Sequence, residues 1–144
     1  MFEDADLIHS ITRAELIESG DLLDVTTSAK EAGFKFPVAL SRAVWSRYVE
    51  FQPGTVGQDE QGRLWDVLTM LLHGIRQAKG DADRIDFKLY VAIPDAGNWQ
   101  PNEEVPNPQS RLTRATHRLV SLKALCGPGD RMEPVITILL PHED

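Results

Sequence analysis

At 144 residues and 42% hydrophobic, the chain has the size of one domain with a core of its own. A net charge of −7 argues against general nucleic-acid binding, whose affinity comes mainly from neutralising phosphates, and a single cysteine excludes an internal disulfide. No stretch approaches the roughly 18 consecutive apolar residues of a membrane-spanning helix, and the start, Met1 to Asp6, is acidic where a secretory signal is basic and then apolar. The expected setting is therefore cytoplasmic, with no membrane partner.

The charge is unevenly spread. Residues 1–34 hold eight acids against two bases, whereas residues 111–126 hold Arg111, Arg114, Arg118 and Lys123 with no acid. The first region reads as a solvated surface or as a face for a basic partner. The second reads as an anion-binding patch or as the internal counterpart of the first.

In chain order, Thr12-Arg13-Ala14-Glu15 is a capping box that opens a short helix, stopped by Gly20. Asp21 to Val25 is a small strand or extended link. A second box, Ser28-Ala29-Lys30-Glu31, predicts another short helix ended by Gly33. Phe34 to Leu40 is extended, because Pro37 biases Phe36 away from the helical region. Ser41 caps a helix carrying Val44, Trp45, Tyr48 and Val49 at helical spacing.

The longest helical pattern follows Gly57. Leu64, Val67, Leu68, Leu71 and Ile75 make one stripe, with Trp65, Leu68 and Leu72 beside it, so the helix should need cover from two sides and lie at the centre. Asp59 and Glu60 suit its positive end, and Arg76 and Lys79 its negative end, with Gly80-Asp81 closing it.

Beyond it the period changes from 3.6 to 2. Ile85, Phe87, Leu89, Val91 and Ile93 alternate with polar neighbours as a half-buried strand. A second strand spans about Thr116 to Cys126, Gly127 to Asp130 make a turn, and Val135 to Leu140 form the third strand. The expected fold is a single α+β domain over 1–144: short N-terminal helices and one long central helix packed on a three-stranded antiparallel sheet. Pro94 to Ala115 is rich in proline and polar groups and is expected as a flexible hairpin extension, or as a binding loop anchored by Trp99.

The search for chemistry is largely negative. The four histidines are widely separated, and no CxxC or HExxH occurs. Asp66 and His73 share a helix face two turns, about 10 Å, apart, too far to bond one another. Cys126 belongs by parity to the apolar face of its strand, and His117, at an odd offset, to the other. Gly127-Pro128-Gly129 lacks the spacing of a phosphate loop. The expectation is no catalytic residue, no metal site and no cofactor.

Several stretches together resemble a known family. They are Met1 to Ile8, the run Phe36-Pro37-Val38-Ala39-Leu40-Ser41-Arg42-Ala43-Val44-Trp45, Gln58 to Leu68, Leu122 to Asp130 with Gly127-Pro128-Gly129-Asp130 at its end, and Pro134 to Pro141. These are similar to small uncharacterised bacterial proteins often encoded on plasmids, phages and integrated elements. The resemblance implies a mobile-element setting and brings no activity or catalytic residue with it.

Two expectations follow. The first is a non-enzymatic acidic interaction protein, an accessory or anti-defence factor docking on a basic, nucleic-acid-binding host protein. Its candidate partner-binding residues are Glu3, Asp4, Asp6, Trp99, Glu103 and Glu104, and its candidate anion-binding residues are Arg111, Arg114, Arg118 and Lys123. The second is a ligand-binding domain or small enzyme with a pocket between sheet and central helix, lined by Trp45, Trp65, Tyr90 and His73.

Overall fold

The computed structural model describes residues 11–50, 59–78, 83–93, 99–104 and 117–143. Helix α1, Arg13–Ser19, starts at the first capping box: Thr12 Oγ1 accepts the Glu15 amide at 3.0 Å and its hydroxyl donates to the Glu15 carboxylate at 3.1 Å. Gly20, at φ +90°, ends it, its amide bonding Ile17 and that of Asp21 bonding Leu16. Strand β1, Leu22–Asp24, leads into α2, Thr26–Ala32. This helix begins ahead of the Ser28 box, because Asp24 Oδ1 accepts the Thr26 amide at 3.0 Å and anchors the first turn earlier.

Strand β2, Val38–Ser41, runs into α3, Arg42–Val44, where Ser41 Oγ accepts the Val44 amide at 3.2 Å as its cap. The chain then widens into a π turn, Trp45–Val49, with the Glu50 amide reaching Trp45 O at 2.7 Å. That turn places Tyr48 and Val49 in the interior, both fully buried. Helix α4, Glu60–Gln77, is capped by Asp59, whose Oδ1 accepts the Gly62 amide at 2.6 Å. Strands β3, Arg84–Ala92, β4, Glu103–Glu104, β5, His117–Pro128, and β6, Pro134–Leu139, complete the described elements.

The strands form one six-stranded sheet in the order β1-β2-β6-β5-β3, with β4 beside β5. This corrects the expected three-stranded antiparallel sheet. The β3, β5 and β6 meander is antiparallel as expected, but β2 joins β6 in parallel, Val38 opposite Ile136, so the sheet is mixed. Two short apolar stretches from the first third therefore extend it. Val38, Ala39 and Leu40 are all fully buried, as a strand covered on both faces requires. β4 lies on the same side of β5 as β6, Glu103 opposite Val120 where Lys123 is opposite Leu139. Residues 99–104 of the expected hairpin extension are thus a turn and a strand; 94–98 and 105–115 lie outside the described residues.

The core lies on one face of the sheet. Phe87, Leu89, Val120, Leu122, Ile136 and Ile138 meet Leu64, Val67, Leu68 and Leu71 of α4. Gly74 lets that helix come close to β3, since a Cβ there would lie 3.2 Å from Ile85 Cγ2. α1 covers the opposite face, where Arg13 donates to Thr137 Oγ1 at 2.6 Å and to Ile136 O at 2.9 Å. Among the described residues α4 is one of four α-helices and flanks the sheet from one side. The expectation of a central helix covered on two sides is corrected: Trp65 is 41% and Met70 37% exposed.

Candidate functional site

Two interior places gather the unusual side chains. The first is polar. Glu103 and Arg118 lie on the core face of the sheet, diagonal to one another across β4 and β5, and their side chains are 2% and 3% exposed. Arg118 Nη1 donates to Glu103 Oε1 at 2.9 Å, and the Tyr48 hydroxyl donates to Glu103 Oε2 at 2.6 Å. Asn102 Nδ2 donates to the Tyr48 oxygen at 3.1 Å, and the Trp99 ring stacks on the Arg118 guanidinium at 4.1 Å. Burial first, and then the Glu103 carboxylate, push the Tyr48 phenol well above its usual range.

Arg63 adjoins this group. Its Nε donates to Tyr48 O at 3.1 Å and its Nη1 to Ala92 O at 2.5 Å, joining α4, the π turn and the end of β3. Burial lowers its pKa, with Asp66 opposing. The space between Tyr48, Arg63 and Asp66 amounts to about 10 Å³, room for one water at most. That space holds no substrate, and the bonds of Arg63, Tyr48, Glu103 and Arg118 tie α4, the π turn and strands β3, β4 and β5 to one another.

The second place is apolar and open. A cavity of about 450 Å³ lies where the C-terminal ends of α2 and α4 meet the sheet, within the range of small-molecule sites. Phe34, Leu72, Ile75, Ile85, Ala124 and Ile136 form its walls, Cys126 lies among them, and Lys35 and Arg76 are its charged lining residues. Phe34, Ala124 and Ile136 are buried, whereas Lys35, Phe36 and Arg76 are exposed at its mouth. The lining comes from α4, β3, β5, β6 and the segment after α2, so no single stretch of sequence announces it. A more open groove of about 500 Å³ lies on the other face, against Leu16 and Leu22.

The expected lining was different. Trp65 and His73 of α4 are exposed, Tyr90 is 56% exposed on the far face of β3, and Trp45 packs against the core; none of the four lines the apolar cavity at the ends of α2 and α4. Of the candidate partner-binding residues, Glu3, Asp4 and Asp6 lie outside the described residues. Trp99 and Glu103 bind Arg118, and Glu104 makes an exposed ion pair with Lys88 at 3.1 Å. Of the candidate anion-binding residues, Arg111 and Arg114 lie outside the described residues, Arg118 is in the polar cluster, and Lys123 is buried with its Nζ donating to Glu143 O.

Sequence reading missed Tyr48 and Arg63 as polar organisers. A signal existed for Arg63, which sits one turn before Val67 on the buried side of α4. Parity also places Arg118 with Val120, Leu122 and Ala124, facing the core, where a cation needs an acid. Among the described residues no three His, Cys, Asp or Glu side chains converge to hold a metal, and no helix is long and apolar enough to cross a membrane.

No curated protein and no solved structure matches the chain. The model of a family of unknown function, DUF6573, matches residues 1–144, and the chain belongs to that family.

Proposed function

We propose that the protein is a binding domain for a small, predominantly apolar molecule seated between the sheet and the C-terminal end of α4. The observation that carries this is the cavity of about 450 Å³ with its apolar wall. Removing apolar ligand surface from water there supplies roughly 25 cal/mol per Å². The reading is one of binding without turnover, the charged groups of the polar cluster being engaged with one another and with the backbone. Ala124, buried in the cavity wall, is the position at which to fill it. A panel of small amphipathic molecules should raise the melting temperature of the wild-type protein, because a ligand that binds only the folded state stabilises it. Ala124→Leu should weaken that rise while the variant still unfolds cooperatively. A flat response to the whole panel would overturn the reading.

A second reading, docking on a basic protein, is favoured by the exposure of Glu15, Glu18, Asp21, Asp24 and Glu31 in the described part of the acidic first third. Of the two bases there, Lys30 is exposed and Arg13 is engaged with β6. The mobile-element setting implied by the family resemblance gives such docking an accessory or anti-defence role. It calls for a host protein retained on the immobilised chain at low salt and released at high salt. No retention at low salt would sink it.

A further inference from the structure

We infer that the occupant of the cavity is an amphipathic anion, a carboxylate of the medium-chain fatty-acid type, and that Lys35 and Arg76 select its head group. This inference rests on the proposed binding function and narrows it to one ligand class. The protein carries a net charge of −7, yet among the described residues the charged side chains lining this cavity are both cations and none is an acid. Among the described residues neither Lys35 nor Arg76 forms an ion pair. The walls behind them are apolar, Phe34, Ala124 and Ile136 buried and Leu72, Ile75 and Ile85 partly so, and one end of the site thus offers charge and the other hydrocarbon contact.

An opposing effect has to be weighed. The C-terminal ends of α2 and α4 both border the cavity, at Gly33 and Ala78, and each helix end carries at most about half a negative charge. Both ends are capped, the Gly33 amide bonding Ala29 and Lys30 and the Ala78 amide bonding Gly74 and Ile75. Two partial charges sum to about one negative charge against two full cations. The mouth stays positive, and an anion is favoured over a cation or a neutral head.

Cys126, the only cysteine, lines the cavity and is partly exposed, which makes it a built-in reporter of occupancy. Decanoate, decanol and octanoate would be titrated below their aggregation limits while the rate of Cys126 modification by a thiol reagent is followed. Decanoate should slow the reaction at a concentration about tenfold lower than decanol, the modest factor appropriate to cations at an exposed mouth. Octanoate should bind more weakly, each methylene being worth roughly fourfold, or about 0.8 kcal/mol. In the Lys35→Gln, Arg76→Gln double variant decanoate should fall to the level of decanol, with decanol unchanged.

Equal protection by decanoate and decanol in the wild-type protein would overturn the anionic head while leaving the cavity reading standing. A double variant that keeps the full preference would overturn the role of the two cations. Protection by none of the three would overturn both this inference and the function it rests on.

Discussion

The Tyr48 hydroxyl donates to Glu103 Oε2 at 2.6 Å across 55 positions of the chain, while Arg118 holds Oε1 of the same carboxylate at 2.9 Å. One acid thus joins the π turn, β4 and β5 in the interior. Removing one partner of a buried pair costs more than the pair contributes, because the remaining charge loses its balance. Glu103→Ala should therefore lower stability by roughly 3–5 kcal/mol, and Tyr48→Phe by about 1.5–3 kcal/mol as a bond to a charged group is lost. Urea unfolding of Tyr48→Phe, of Glu103→Ala and of the double variant carrying both should show a non-additive term of about 0.5–3 kcal/mol. Strict additivity would mean that the two residues do not share this bond.

The same contact fixes an alkaline response. The folded-state pKa of Tyr48 is raised, by burial first and then by Glu103, so the folded state holds this proton more tightly than the unfolded chain. The contribution is complete below the unfolded tyrosine value of about 10 and is lost as pH rises towards the folded value. Wild-type stability should decline above about pH 10, with a Tyr48 share of up to about 1.4 kcal/mol per pH unit. Tyr48→Phe should show a shallower decline between pH 9 and 11, and an identical slope would refute the assignment.

At the other end of the scale, Asp130 caps α1 from the β5–β6 turn, accepting the amides of Arg13 at 2.7 Å and Ala14 at 3.0 Å. These two backbone bonds hold its carboxyl below the usual range. A depressed folded pKa contributes stability above the unfolded value, near 3.9, and loses it as pH falls through the folded value. Asp130→Asn keeps an acceptor and removes the charge, so the fall in urea midpoint between pH 5 and pH 2.5 should shrink. An unchanged fall would show that the charge contributes nothing to anchoring α1.

Local rules were legible in the sequence wherever neighbours decide them. The caps at Thr12 and Ser41, the acidic helix start at Asp59 and Glu60, the stops at Gly20 and Gly33 and the alternation through Phe87, Leu89 and Val91 all describe the observed elements. What distant partners decide was not legible. Nothing near Val38 to Leu40 announces parallel pairing with Ile136 to Ile138, and Glu103, read alone, is one more solvated acid in a proline-rich stretch. Burying it takes Arg118, 15 residues away, and Tyr48 from another element. The cavity is harder still, because five segments enclose it and its cations look like ordinary surface groups.

Gly33 offers a last test, since it belongs both to the fold and to the cavity. Its φ of +114° lies further from the range L side chains tolerate than the +90° of Gly20. A Cβ at Gly33 would meet Leu72 Cδ2 at 3.4 Å, an ordinary contact, whereas at Gly20 it would meet the movable Arg42 Nη2 at 3.3 Å. Neither site forces a clash, so backbone strain decides the ranking. Gly20→Ala should cost about 1 kcal/mol and Gly33→Ala about 2–3 kcal/mol, both with unchanged urea m-values. The added methyl at Gly33 also narrows the cavity, so a ligand that stabilises the wild-type protein should stabilise Gly33→Ala less and Gly20→Ala equally. A reversed order of stability would place the larger strain at Gly20, and an undiminished ligand response in Gly33→Ala would put the occupied volume away from the end of α2.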